Sequence, residues 1–230
     1  TWDRLCQHHW CRRCEPFPWT SRGRAIASNA GARCRGHRQP PREDSVGSIA
    51  NIDEAVKLAV DLGAKVLNLS FGTPESALRS NDPVPHVEVV RYALARGCIL
   101  VAASGNDGGL TRYFPAALPG VIAVGSVDLS RKPSKFMSRG EHVALCAPGE
   151  RIRGATLNGS YGDYSGTSFA APFVTSACAL LLARAARYSA SLSPFMVRDL
   201  LVRSVTPFQG GDSSGCGAGV LNLPATLRAA

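Results

Sequence analysis

Residues 166–172 (GTSFAAP) hold a serine among small residues, at the point where a strongly apolar run begins. No charged residue follows Ser168 before Arg184, and a helix that is apolar on all sides is typical of a buried position. A helix N-terminus presents free N–H groups and a positive dipole end, which favour an anion. Ser168 can therefore be a nucleophile whose substrate develops an oxyanion, or only a cap of a core helix. Pro172 is expected in the first turn or so, where its missing N–H costs little.

Two further apolar runs end in small polar residues. Residues 101–108 (VAASGNDG) read as an apolar strand that ends in a turn carrying Asn106. The amide of an asparagine at a strand end can donate a hydrogen bond into a cleft, although Asn-Asp-Gly is also ordinary turn chemistry. Residues 66–72 (VLNLSFG) read as a second apolar strand, which ends in Ser-Phe-Gly.

The elements that must position these residues alternate along the chain from Ile49 onward. The expected elements are helices over 52–62 and 86–96 and strands over 66–69, 99–103 and 121–127. This alternation predicts an α/β fold, with a parallel β-sheet covered by helices on both faces. Because the working site of an open α/β sheet lies beyond the carboxyl ends of its strands, Gly72, Asn106 and Ser168 are expected at one rim.

Taken together, these segments resemble the subtilisin-like serine proteases, the subtilase family. Four other stretches look like family segments in matching order: 114–128, 136–140, 146–150 and 216–222. The resemblance runs from about Ser48 to near the C-terminus. It implies that 48–230 is a partial subtilase catalytic domain and that the N-terminal part of the subtilisin-like fold is missing.

The resemblance also implies roles for individual residues. Ser168 would be the acylating nucleophile of a serine endopeptidase. Asn106 would be the side-chain donor of the oxyanion hole, acting with the backbone N–H of Ser168. The residues implied to bind a polypeptide substrate are Ser70, Phe71, Gly72, Ala103, Ser104 and Gly105. Because several of these residues are small, we expect the primary pocket to admit a sizeable apolar or aromatic side chain.

A catalytic base and its orienting acid are not found in this sequence. A serine hydroxyl needs both to become a nucleophile. In the family the acid lies in Asp-Ser/Thr-Gly and the base in His-Gly-Thr-x-Val-Ala-Gly, both before the region of Ser48. Neither motif occurs here; the candidates that lie in other contexts are Asp3, His8, His9, His37, His86 and His142. We therefore expect weak activity or none, and a non-catalytic, peptide-binding pseudoenzyme is the alternative.

The first 47 residues differ in composition from the rest of the chain. Residues 1–42 hold nine arginines against two acids, so this segment carries +7 of the net charge of +9. We expect an atypical leader outside the fold, produced by a reading-frame error or joined to a fragment. Read literally, Cys11, Cys14, Cys34 and His37 have the spacing of a small zinc ribbon with a basic surface. A net charge of +2 over the remaining residues gives no reason to expect a nucleic-acid partner.

The remaining expectations concern cofactors and location. No cofactor or metal is expected: subtilases often bind structural calcium, but no ligand set can be assigned here. The sequence has no run of eighteen apolar residues, so no membrane span is expected. The resemblance favours a secreted or periplasmic protein, although no signal peptide is visible, and the oligomeric state stays open. Cys98 and Cys178 are expected as small buried residues.

Overall fold

The computed structural model describes residues 48–156 and 159–230. Its helices are α1 (Ile49–Asp61), α2 (Val87–Ala95), α3 (Thr167–Arg187), α4 (Pro194–Arg203) and α5 (Leu223–Ala229). Its strands are β1 (Val66–Leu69), β2 (Thr73–Pro74), β3 (Ile99–Ala103), β4 (Tyr113–Phe114), β5 (Ile122–Val127), β6 (Val143–Pro148), β7 (Ile152–Ala155) and β8 (Tyr161–Tyr164). The expected leader and its zinc-ribbon alternative lie outside the described residues.

The central sheet has four parallel strands in the order β1-β3-β5-β6. Its strands are short apolar runs, and their side chains are buried on both faces, as parallel sheets require. Leu67, Leu100 and Ala123 point to the face that α1 and α2 cover. Val66 and Val101 point to the opposite face, against α3 and α4. The α/β fold with helices on both faces is therefore confirmed.

Two small antiparallel sheets lie outside the central sheet. In the first, β2 pairs with β4, so that Thr73 faces Phe114 and Pro74 faces Tyr113. In the second, β7 and β8 form a hairpin that leads into α3. The first pairing matters for the site because it brings Tyr113 beside the carboxyl end of β1.

Helix α3 is not buried on all sides, contrary to the expectation from its sequence. The side chains on one face are buried against the sheet: Ala170, Ala171, Val174, Ala177, Cys178, Leu181 and Ala185. Phe173 and Leu180 are 42% and 45% exposed, because the helix forms an outer layer and the described residues cover one face of it. By length and composition alone, this 21-residue helix could cross a membrane, a test that a helix packed in a soluble core also passes.

The cysteines of the described region are free thiols in the core. Cys98 and Cys178 are buried as expected, and Cys146 and Cys216 are buried as well. Burial raises the pKa of Cys98 to about 11 and that of Cys178 to about 12. These thiols therefore pack as small apolar side chains, which neutral thiols do well.

Candidate active site

The start of α3 is fixed by the loop that follows β6. Gly166 caps the helix with a φ of 155°, in the region that favours glycine. Its N–H donates a 2.8 Å hydrogen bond to the carbonyl of Gly149. A β-carbon at Gly149 would lie 2.9 Å from the carbonyl oxygen of Gly166, so a larger residue cannot take this place without a shift. The two glycines thus set where Ser168, the second residue of α3, meets the cleft.

Pro172 is the sixth residue of α3, near the expected first turn but far enough along the helix for its missing N–H to matter. An α-helix bonds the N–H of each residue to the carbonyl four residues earlier, and proline has no N–H. The carbonyl of Ser168 therefore lacks its donor within the helix. The hydroxyl of Ser70 donates to that carbonyl instead, at 2.9 Å. In return, the hydroxyl of Ser168 donates to the carbonyl of Ser70 at 3.3 Å.

A chain of polar side chains continues from Ser70 along β1 and α3. The amide nitrogen of Asn68 donates to the hydroxyl of Ser70 at 2.8 Å. The amide oxygen of Asn68 accepts from the hydroxyl of Thr175 at 2.9 Å. Asn68 is only 5% exposed, so both the oxygen and the NH₂ group of its side-chain amide need partners. This polar ladder of Thr175, Asn68, Ser70 and Ser168 joins the nucleophile-bearing helix to the edge of the sheet.

The side chain of Asn106 is held in one orientation by Thr167. The backbone N–H of Thr167 donates to Oδ1 of Asn106 at 2.9 Å, and the Thr167 hydroxyl donates to the same oxygen at 3.0 Å. A backbone N–H can only donate, so the atom that accepts is the amide oxygen and the NH₂ group is on the other side. Among residues 48–156 and 159–230, the backbone N–H of Ser168 has no hydrogen-bond partner. Two donors, one on Asn106 and one on Ser168, are thus available at the rim.

One cavity of about 200 Å³ brings most of the expected site residues together. Its lining residues are Phe71, Gly72, Ala103, Gly105, Asn106, Tyr113, Thr167 and Ser168. Two expected residues lie elsewhere. Ser70 lies behind Ser168 in the polar ladder, and Ser104 is fully buried, with a hydroxyl that has no partner in the described part of the chain. Ala103 and Gly105 line the cavity on either side of Ser104, because side chains alternate in direction along an extended chain.

Tyr113 and Thr167 line the cavity although the sequence analysis did not select them. Thr167 is next to Ser168 in the chain, so its place at the site could have been predicted from the sequence. Tyr113 gave no signal, because it reaches the cavity through the pairing of β2 with β4. Its ring lies between two glycines. A β-carbon at Gly72 would be 3.2 Å from Cδ1 of Tyr113, and one at Gly105 would be 2.6 Å from Cε2.

The chain matches the sequence pattern of a known protein family. The Subtilase family pattern matches residues 38–219. The chain belongs to the subtilase family. The match begins ten residues before Ser48.

Individual proteins and solved structures are similar to this chain. Subtilisin E from Bacillus subtilis (strain 168) is 34% identical over 193 residues, which cover 80% of this chain and 47% of that protein. The solved structure of the prenylagaramide maturation protease PagA is 33% identical, with a TM-score of 0.72, over 79% of this chain and 67% of PagA. The PatG macrocyclase in complex with peptide is 27% identical, with a TM-score of 0.71, over 80% of this chain and 57% of PatG. This subtilase chain spans about half the length of subtilisin E.

The histidines of this subtilase that the structure describes do not line the cavity. His86 is 4% exposed, and its Nδ1 lies 2.5 Å from Oδ1 of Asp53 on α1. Its ring meets the ring of Phe71 edge-on, with centroids 5.6 Å apart. His142 lies at the start of β6, where burial and then the nearby Arg112 lower its pKa. Within the described ranges, Ser168 therefore has no imidazole beside it in the cavity.

A metal site is not apparent in the part of this subtilase that the structure describes. In that part, no three side chains of His, Cys, Asp or Glu lie close enough to hold a metal ion. Some acidic side chains there have other partners, such as Glu75 with Arg112 and Asp107 with Ser138. We therefore assign no metal ligands among the described residues.

Proposed function

We propose that this subtilase supplies the nucleophile and the oxyanion hole of a serine endopeptidase. Ser168 Oγ would attack the carbonyl carbon of a peptide bond, and the negative charge would develop on the carbonyl oxygen. The C–N bond would then break, the amine would leave with the proton given up by the Ser168 hydroxyl, and water would hydrolyse the acyl-enzyme. The observation that carries this proposal is the orientation of Asn106: Thr167 holds its amide oxygen, and its NH₂ group points away from Thr167. Asn106 and Ser168 line the same cavity.

The electrostatic part of this proposal rests on two fixed donors. The NH₂ group of Asn106 and the N–H of Ser168 belong to residues of one cavity. Donors that are already oriented stabilise charge without reorganising during the reaction, and removal of one costs about 3–4 kcal/mol. That magnitude comes from subtilisin, a member of this family, and not from this structure.

The substrate would bind as an extended polypeptide along the end of β1. Phe71 and Gly72 line the cavity, and Ser70 is tied to Ser168 directly behind it. Ala103 and Gly105 line the opposite side of the cavity at the end of β3. A peptide between these two strand ends would place one carbonyl at Ser168 and one side chain in the space next to Gly72 and Gly105.

When Ser168 attacks, its hydroxyl must give up a proton. We have assigned no residue of this chain as the acceptor of that proton. Loss of the histidine from a subtilisin-type triad lowers turnover about 10⁶-fold, and about 10³–10⁴-fold over water remains from the oxyanion hole and binding. These values also come from subtilisin itself. We therefore propose that the chain alone reacts slowly, and that a small base such as imidazole accelerates it.

A fluorophosphonate probe tests this proposal. The 230-residue chain is incubated with the probe at several imidazole concentrations, and the labelled residue and its rate are read by mass spectrometry. We expect labelling at Ser168 that rises with imidazole and is absent in Ser168→Ala. Asn106→Ala should slow labelling by about 10²–10³-fold, because one donor to the developing charge is lost.

The matched control is Asn51→Ala, which removes an exposed asparagine on α1, outside the cavity. Its labelling rate should equal that of the unchanged chain. Labelling at a different residue would refute the role of Ser168. An unchanged rate in Asn106→Ala would refute the oxyanion hole.

Peptide binding without cleavage is the second candidate function. It is supported by the observation that no described histidine lines the cavity. A folded chain that binds peptides with equal affinity before and after Ser168→Ala, and that is never labelled even with imidazole, would favour this pseudoenzyme.

A further inference from the structure

We propose that Tyr113 determines specificity by closing the space beside Ser168 to large side chains. The residue that supplies the carbonyl to Ser168 would then be glycine, alanine or serine, and not the large apolar or aromatic residue expected from the sequence. This inference rests on the proposed function, because that function places the substrate carbonyl at Ser168.

The position of the ring carries the argument. Gly72 ends the run from β1, and Gly105 follows β3, so the two glycines stand at the two sides of the cavity. Cδ1 of Tyr113 faces Gly72, whereas Cδ2 and Cε2 face Gly105. Cδ1 and Cδ2 are on opposite edges of a tyrosine ring. The ring therefore spans the gap and occupies the space that the missing side chains of the glycines leave open.

The backbone of Tyr113 is held on both sides. It pairs with Pro74 across the β2–β4 sheet, and the N–H of Ala117 donates to its carbonyl at 2.8 Å. Its neighbour Arg112 forms a bidentate ion pair with Glu75. Bidentate pairs fix orientation as well as distance. The ring can therefore leave the gap only by changing its own side-chain torsions.

The cavity beside Tyr113 has to hold more than the substrate side chain. Its volume of about 200 Å³ includes the surroundings of Ser168 and Asn106 as well as the gap beside Tyr113. The substrate carbonyl and the substrate side chain must share this volume. Burial, followed by the charge of Asp107, raises the pKa of Tyr113, so the ring stays neutral near pH 7. A neutral aromatic wall gives a cationic or anionic substrate side chain no ionic partner.

Equilibrium binding of short peptides tests this inference without requiring catalysis. Four fluorescent tetrapeptides differ only in the last residue (Gly, Ala, Phe or Tyr), and the terminal carboxylate takes the place of the substrate carbonyl. Fluorescence anisotropy should show about tenfold or tighter binding of the Ala peptide than of the Phe peptide. Tyr113→Ala should raise the affinity for the Phe peptide about tenfold, because the gap opens.

Two control variants separate the ring from the hydroxyl and from general effects. Tyr113→Phe keeps the ring and should retain the preference for small residues. Tyr188→Ala removes an exposed tyrosine after α3 and should change nothing. Should Tyr113→Ala fail to fold, the unchanged chain and Tyr113→Phe still decide. Equal or tighter binding of the Phe peptide by the unchanged chain overturns the inference, and so does the absence of binding by all four peptides.

The outcomes for the two proposals are distinguishable. Fluorophosphonate labelling reports on the chemistry of Ser168, whereas the peptide series reports on the size of the space beside it. Selective binding of small residues without labelling would support the role of Tyr113 and refute the peptidase. Labelling with a preference for the Phe peptide would support the peptidase and refute the role of Tyr113.

Discussion

At the residue scale, Thr167 is the side chain on which the geometry of Asn106 depends. It is fully buried, and its hydroxyl contacts both the carbonyl of Gly105 and the amide oxygen of Asn106. Thr167→Val keeps the shape and removes the hydroxyl, which leaves buried polar groups without a partner. We expect the free energy of unfolding to fall by about 1–3 kcal/mol. Labelling of Ser168 should slow by up to about 10²-fold, because the donor is misplaced.

Urea unfolding and the fluorophosphonate assay measure these two effects separately. Thr167→Ser is the matched control, since it keeps the hydroxyl and should label at a rate near that of the unchanged chain. If Thr167→Val lost stability but labelled normally, Thr167 would be a structural residue and would not position Asn106.

At the element scale, the polar ladder predicts that β1 and α3 respond to mutation as one unit. Asn68 bonds to Ser70 on one side and to Thr175 on the other. Asn68→Ala and Thr175→Val should each lower the free energy of unfolding by about 1–3 kcal/mol. The double variant should lose less than the sum of the two, by about 0.5 kcal/mol or more, because both changes break the same contact.

Chemical denaturation of the two single variants and the double variant measures this coupling. The control pair is Asn68→Ala with Ser48→Ala. Ser48 caps α1 and shares no hydrogen-bond partner with Asn68 among the described residues. Those losses should add within about 0.5 kcal/mol. Full additivity of Asn68→Ala and Thr175→Val would contradict the ladder.

At the scale of the whole molecule, we expect the protonation of His142 to lower the free energy of unfolding in mild acid. Burial and Arg112 lower its pKa in the folded protein, and its Nε2 has no hydrogen-bond partner in the described region. In the unfolded chain the pKa returns to about 6.5. As the pH falls through that value, the unfolded state binds more protons than the folded state, so the free energy of unfolding decreases. Above that pH the contribution of His142 is constant.

Urea unfolding between about pH 5 and pH 8 tests this dependence. The variant His142→Gln cannot take up a proton and should show a smaller decrease below about pH 6.5. An equal decrease in the variant and the unchanged chain would assign the acid sensitivity to other groups.

The layered fold could be predicted from sequence because it depends on local apolar patterns. The runs at β1, β3 and β5 are continuous and end at turn residues, so their type and nearly all of their bounds were predictable. The outer face of α3 was not, because an apolar sequence does not say how many of its sides other elements cover.

The site could be predicted where a residue lies at the end of an apolar strand or the start of an apolar helix. Asn106, Ser168, Phe71 and Gly72 meet that condition, and all four line the cavity. Contacts between distant segments left no such pattern. The position of Tyr113 depends on the β2–β4 pairing. The buried His86 contacts Asp53, which lies 33 residues earlier in the chain.

Pro172 has a consequence for how motion would reach the nucleophile. Since the carbonyl of Ser168 bonds to Ser70 and not to its own second turn, the first turn of α3 is fastened to the sheet. A shift of the β1 edge, for instance when a bound chain presses on it, would therefore carry the serine along. The reacting oxygen of Ser168 and the strand edge that binds the peptide would then move together as one unit.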